Sequence, residues 1–153
     1  MKQRISCRGI IFHDDQIALM YRVKKDRDYY TFPGGGLEKN ETQEECIIRE
    51  IYEEFGIDIV PIKLAYEYFS DKTIEYFYLC KWVGGTFGSG AGPEMINTND
   101  EKGKHIPMLT PTSELENINL LPPSVKDELI KDVKQYGVLL SDDTKVINEK
   151  NSI

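Results

Sequence analysis

Apolar and polar positions alternate along residues 5–13 and again along 16–23, with His13-Asp14-Asp15-Gln16 between the two runs. A period of two interrupted by a polar turn predicts an opening β-hairpin. Residues 29–32 form a short aromatic, β-prone run that Pro33 and three glycines stop. The period then lengthens to that of a helix. Thr42, with Glu45 three residues on, is a capping-box pair, and Gly56 suits the left-handed position just past a last helical residue at Phe55. Ile47, Ile48, Ile51 and Phe55 make the apolar stripe of this helix. Glu50, Glu53 and Glu54, at i, i+3 and i+4, fall on the adjacent face. One side of the helix is therefore expected to pack on a sheet while its acidic side faces a cleft.

Beyond the helix, residues 59–69 and 73–83 read as two more strands joined by Ser70-Asp71-Lys72. Residues 84–92 read as a flexible, glycine-rich loop, whose glycines do not form a G-x-G-x-x-G between a strand and a helix, so a dinucleotide fingerprint is excluded. Residues 105–109 are expected to be the last strand, 110–115 a short helical turn, and a final amphipathic helix opens at Pro122 or Pro123 and runs to about Tyr136. No repeat or linker divides the chain, so residues 1–140 are read as one domain, with 141–153 a polar C-terminal tail expected to fray.

Charge sharpens this picture. The 153 residues carry a formal net charge of −7, which argues against tight, nonspecific binding to nucleic acid. Residues 1–30 hold seven Lys/Arg against four Asp, a net of +3, whereas residues 38–58 hold eight acids against two bases, a net of −6. A basic edge beside an acidic patch suits an anionic ligand held by cations on one side and a metal ion on the other. Cys7, Cys46 and Cys80 are scattered and form no CxxC, so neither a disulfide framework nor a zinc site is read, and a reducing cytosol is expected. The sequence shows no signal-peptide core and no apolar run long enough to span a bilayer.

Three carboxylates on one helical turn repel one another unless a cation sits among them. Mg²⁺ takes oxygen ligands and keeps several waters, so Glu50, Glu53 and Glu54 are its candidate ligands, with the Gly34-Gly35-Gly36 backbone able to come close because no Cβ intervenes. A neighbouring glutamate would take the proton of an attacking water. Arg49, at i, i+4 to Glu53, is expected to orient the carboxylates, and Glu41 to bind metal or hold the turn. A solvated, Glu-rich helix face is the plain alternative for such spacing alone. Cys46, one turn before Glu50, is expected to face the same cleft in a packing role, its thiolate disfavoured by the surrounding carboxylates. Arg8 and Arg22 on the early strands are candidates for phosphate contacts, and Tyr30 for stacking a base. His13 and His105 read as a turn and a strand-edge residue.

The segment from Gly35 to Ile57 resembles the Nudix box, G-x5-E-x7-R-E-U-x-E-E-x-G-U with U aliphatic. Gly35, Glu41, Arg49, Glu50, Ile51, Glu53, Glu54, Gly56 and Ile57 fill all nine defined positions. The strand pattern before it and the Pro33-Gly-Gly lead-in extend the likeness over most of the chain. The resemblance implies an α+β fold, an α/β/α sandwich around a mixed β-sheet. It implies Mg²⁺- or Mn²⁺-dependent hydrolysis of a nucleoside diphosphate linked to another group. It also implies metal ligation by Glu50, Glu53, Glu54 and the carbonyl of Gly34. The base it implies is a box glutamate, Glu53 or Glu54, or a loop glutamate outside the box, Glu94 or Glu101. Small size and short elements look similar to MutT-like enzymes acting on nucleoside triphosphates, oxidised ones included. The region where ADP-sugar pyrophosphatases of this family tend to carry a proline is Asp71-Lys72-Thr73-Ile74, which has none. ADP-sugar or dinucleoside polyphosphate hydrolysis, and a noncatalytic nucleotide-sensing domain, are the alternatives. The expected partner is a small nucleotide-like substrate, without a stable nucleic-acid complex or a membrane, and a homodimer is left open.

Overall fold

The computed structural model describes residues 3–90 and 103–149. Strands β1 (Arg4–His13) and β2 (Gln16–Lys24) form the expected hairpin, with Asp14 at φ 54°, a left-handed position that Asp tolerates in a tight turn. The two strands pair only at Phe12↔Ile17 and His13↔Gln16 and then splay apart. On its freed edge β2 takes up β3 (Arg27–Thr31), and on its freed edge β1 takes up β4 (Gly34–Gly36). The chain from β3 to β4 therefore crosses the mouth of a V.

The remaining strands extend the sheet both ways. β5 (Ile57–Phe69) and β6 (Thr73–Gly85) form a long hairpin, and β6 lies parallel to β1. β7 (Lys104–Pro111) pairs with β2, β8 (Leu120–Leu121) with β3, and β9 (Lys145–Asn148) with β5. Parallel and antiparallel pairs coexist, so the sheet is mixed.

Helix α1 (Gln43–Phe55) has the foreseen ends. Thr42 Oγ1 accepts from the Glu45 amide at 3.1 Å, the Thr42 amide donates to Glu45 Oε1 at 2.9 Å, and Gly56 closes the helix at φ 75°. Cys46, Ile47, Ile51 and Phe55 pack with Cys7, Ile11, Ala18 and Met20 on one face of the sheet. Gly9 permits this approach, since a Cβ there would lie 2.5 Å from Ile51 Cδ1. Helix α2 (Pro123–Tyr136) sends Val125 and Leu129 against Ile10, Ile17, Leu19, Phe32 and Phe77 on the other face. Alternate residues of β1 and β2 serve opposite cores, the period-two rule of a pleated strand. The result is the α/β/α sandwich and α+β class expected from the sequence.

Several expectations are corrected. Ile48 is 43% exposed, and Cys46 fills its place in the stripe. The three glycines that stop the aromatic run form a strand of their own. β7 is not the last strand, and the helical turn after it runs Thr112–Asn117. Within the polar tail, residues 145–148 form β9, where Lys145 Nζ bonds Asp132 Oδ1 at 2.6 Å. Just after β6, the Gly88 amide donates to Phe55 O at 2.9 Å, capping the end of α1.

Candidate active site

The mouth of the V is a polar cavity of about 200 Å³. Arg4 and Arg8 come from β1, Met20 and Arg22 from β2, Thr31 from β3, Gly34, Gly35 and Gly36 from β4, Glu50 and Glu54 from α1, and His105 from β7. Residues far apart in sequence meet here because the hairpin opens and α1 covers the opening.

Glu50 and Glu54 are buried, at 9% and 7% exposure. Burying a carboxylate is costly unless hydrogen bonds and opposite charge compensate. Glu54 Oε1 accepts from the Gly34 amide at 2.8 Å, and Glu50 Oε1 accepts from Arg49 Nη1 at 3.0 Å. Glu50 lies directly on bare backbone: a Cβ at Gly35 would fall 2.6 Å from its carboxyl carbon. Glu53 does not line the cavity. Its side chain is 36% exposed and sits 3.7 Å from Arg49 Nη1. Among the described residues no three His, Cys, Asp or Glu converge on one ion-sized point. Of the three glutamates expected to converge, Glu50 and Glu54 line the cavity and Glu53 lies beside them across Arg49.

Arg49 holds this arrangement, though not mainly through its helical neighbour. Nε donates to Glu41 Oε2 at 2.7 Å and Nη2 to Glu41 Oε1 at 3.0 Å, a bidentate pair with geometry and charge both favourable. Nη2 also donates to Gly36 O at 3.3 Å, tying helix to strand. The bond to Arg49 lowers the Glu41 carboxyl to a pKa of about 2, and the same carboxylate keeps Arg49 charged.

Other candidates move. Cys46 is fully buried and faces the Gly35 and Gly36 carbonyls, at 3.6 and 3.5 Å, instead of an open cleft. Hydrogen bonding with Cys7, followed by burial, pushes its thiol up, so the carboxylates are not the main cause. Tyr30 is not in the cavity: its ring packs against Tyr21, centroids 4.7 Å apart, and against the α2-side core. Arg8 and Arg22 both line the cavity. Glu94 and Glu101 lie outside the described residues. Arg4 and His105 are cavity residues that the sequence reading did not select. Arg4 shares a strand face with Arg8 by period two, a usable signal, whereas His105 arrives only through the nonlocal register Arg22↔His105.

A second cavity, of about 280 Å³, adjoins the first through shared Arg8 and Thr31. Phe32, Phe77, Leu121, Pro122 and Pro123 give it apolar walls, with Glu75 as its acidic residue.

The model of the NUDIX domain family matches residues 2–120. The chain belongs to the Nudix family. An 8-oxo-dGTP diphosphatase of Escherichia coli is 36% identical over 102 residues, spanning 61% of this chain and 78% of that protein. One from Proteus vulgaris is 40% identical over 60 residues, 35% of this chain and 53% of its own. An RNA pyrophosphohydrolase of Stutzerimonas stutzeri is 34% identical over 56 residues, 37% of this chain and 35% of its own. The match thus spans about half of the Proteus protein and about a third of the Stutzerimonas one. Among solved structures, a Nudix hydrolase from Nitrosomonas europaea superposes with a TM-score of 0.72 at 17% identity, covering 97% of this chain and 81% of that one. At that identity the likeness establishes the Nudix fold alone.

Proposed function

We propose that this Nudix domain is a divalent-metal-dependent pyrophosphohydrolase that cleaves a nucleoside triphosphate, oxidised forms included, to a nucleoside monophosphate and pyrophosphate. The observation that carries this reading is the pair of adjoining cavities, one polar with carboxylates facing arginines, one apolar and wide enough for a base. The carboxylate oxygens of Glu50 and Glu54 and the Gly34–Gly36 backbone form a hard-oxygen donor set suited to Mg²⁺ or Mn²⁺. Glu50, Glu54 and the Gly34 carbonyl would hold the ion, with Glu53 closing in from beside them. When bound, such an ion neutralises phosphate oxygens and acidifies an attacking water.

Arg4 and Arg22 flank the carboxylates across the cavity and would bind the phosphate chain through charge-assisted hydrogen bonds. Glu53, the most exposed of the three glutamates, would take the proton as water attacks phosphorus and the anhydride bond breaks. Arg49 touches no substrate in this reading and holds Glu41, Glu50 and Gly36 in place. The net charge of −7 favours a small substrate over a long nucleic acid. Three buried free cysteines suit a reducing cytoplasm, and no helix among the described residues is long and apolar enough to cross a membrane.

The test is phosphate release with Mg²⁺ or Mn²⁺ across nucleoside triphosphates, nucleotide sugars and dinucleoside polyphosphates. Nucleoside triphosphates should lead, and Glu53→Gln should lower kcat by roughly 10²–10⁴-fold, the span of a lost general base. A best substrate among the nucleotide sugars would overturn the substrate class. Tight binding of one nucleotide without turnover of any compound would identify a sensing module instead.

A further inference from the structure

Arg8 stands where the two cavities meet, and its Nε and Nη1 are tied to groups of three other strands or their connections. Nε donates to Glu75 Oε1 at 3.0 Å, and Nη1 donates to Phe32 O at 3.3 Å and Gly34 O at 3.1 Å. Glu75 comes from β6, and its side chain is 13% exposed. The pair is therefore largely removed from water, where a charged hydrogen bond has orienting force.

Gly34 is the next link. It lies opposite Arg8 in the β1–β4 register and has φ +142°, a conformation that favours glycine. A Cβ there would fall 2.0 Å from Cys7 O and 2.8 Å from Arg8 Cα. Having no side chain, Gly34 cannot fix its own orientation by packing. Its carbonyl accepts from Arg8 Nη1 at 3.1 Å, and its amide donates to Glu54 Oε1 at 2.8 Å. One residue thus joins the Arg8 guanidinium to a cavity carboxylate through adjacent peptide groups.

We infer that Glu75 is a positioning residue of the active site, acting through Arg8 on the Gly34 backbone and so on Glu54. Arg8 belongs to this relay. The relay crosses three elements, from β6 through β1 to β4, and ends on α1. It fixes the two groups, Gly34 O and Glu54, that would face the ion from the strand and the helix.

The kinetic part of the test rests on the pyrophosphohydrolase reading; the binding part does not. Mn²⁺ affinity is measured by electron paramagnetic resonance on the full chain, alongside kcat and KM for a nucleoside triphosphate and the Tm. Outer-shell partners of a metal site typically alter affinity or activity about 10–100-fold. Glu75→Ala and Arg8→Lys should each weaken Mn²⁺ binding and lower kcat by about tenfold or more, with KM changed less than about threefold. The double variant should be no worse than the worse single one, because both act along one path. Glu75→Gln should recover most of the loss, since its amide oxygen still accepts from Arg8 Nε; it also serves if the alanine variant does not fold. A selective rise in KM with Mn²⁺ binding intact would make Arg8 a substrate ligand and overturn the relay. Additive losses, or variants matching the wild type, would overturn it too. A wild-type chain that binds Mn²⁺ but hydrolyses nothing would refute the catalytic reading alone, with the relay still decided by the Mn²⁺ titrations. No Mn²⁺ binding by the wild type would overturn both.

Discussion

Replacing Gly35 with alanine inserts one methyl group into the active site from below. The added Cβ would lie 2.6 Å from Glu50 Cδ and 2.6 Å from Oε1. Non-bonded carbon atoms settle at about 3.5–4.0 Å, so the carboxyl group must move by roughly 1 Å. Arg49 Nη1 holds it at 3.0 Å on one side, so the carboxyl gives way into the cavity it lines. A displacement of about 1 Å in a catalytic constellation costs on the order of 100-fold in rate. The neighbouring position supplies the control. At Gly36 the same methyl group would meet only Arg4 guanidinium atoms, at 3.5–4.0 Å, an ordinary contact. Gly35→Ala should therefore lower kcat about 100-fold, and Gly36→Ala less than about threefold. The assay is steady-state hydrolysis at saturating Mg²⁺, with Tm by calorimetry to exclude unfolded protein. Equal kcat for the two variants would refute the placement of Glu50 on Gly35.

Two further perturbations separate charge from packing. Glu41 has its pKa lowered to about 2 by the hydrogen bonds from Arg49. A carboxyl lowered on folding contributes stability above its unfolded pKa, about 4.3, and loses it as pH falls through the folded value. Tm should thus fall between about pH 4.3 and 2 in the wild type, and less steeply in Glu41→Gln; parallel Tm profiles would contradict this. Tyr66→Phe removes the 2.6 Å bond from the buried Tyr66 hydroxyl to Asp132 Oδ2. The loss should be about 1.5–3 kcal/mol, the range for a bond to a charged group, with kcat unchanged because Asp132 sits on α2 in the opposite core; a drop in kcat would couple that core to the chemistry.

How much of this was legible depends on the distance over which each signal acts. α1 was read nearly to the residue, since Thr42, Glu45 and Gly56 set its ends by local hydrogen bonding. The β1–β2 hairpin was legible from period two and its polar turn. β4 was not, because three glycines carry no alternation to read. β8 and β9 join partners remote in sequence, Leu120 beside Tyr30 and Lys145 beside Tyr66, and no local period encodes such pairing. The box named the glutamates but not their division of places. Helical spacing pointed Arg49 at Glu53, whereas the closer contact is to Glu41, eight residues back on the preceding loop.

The polar cavity has a floor of bare backbone at Gly34–Gly36 and walls of long side chains, Arg4, Arg22 and His105. Its two parts answer to mutation differently. At Gly34 a side chain would strike backbone, and at Gly35 it would displace the Glu50 carboxyl, so any change to the floor disturbs the site itself. The walls can be exchanged one residue at a time. A lineage or a designer can therefore retune what the cavity admits while inheriting the surface on which the reaction is staged.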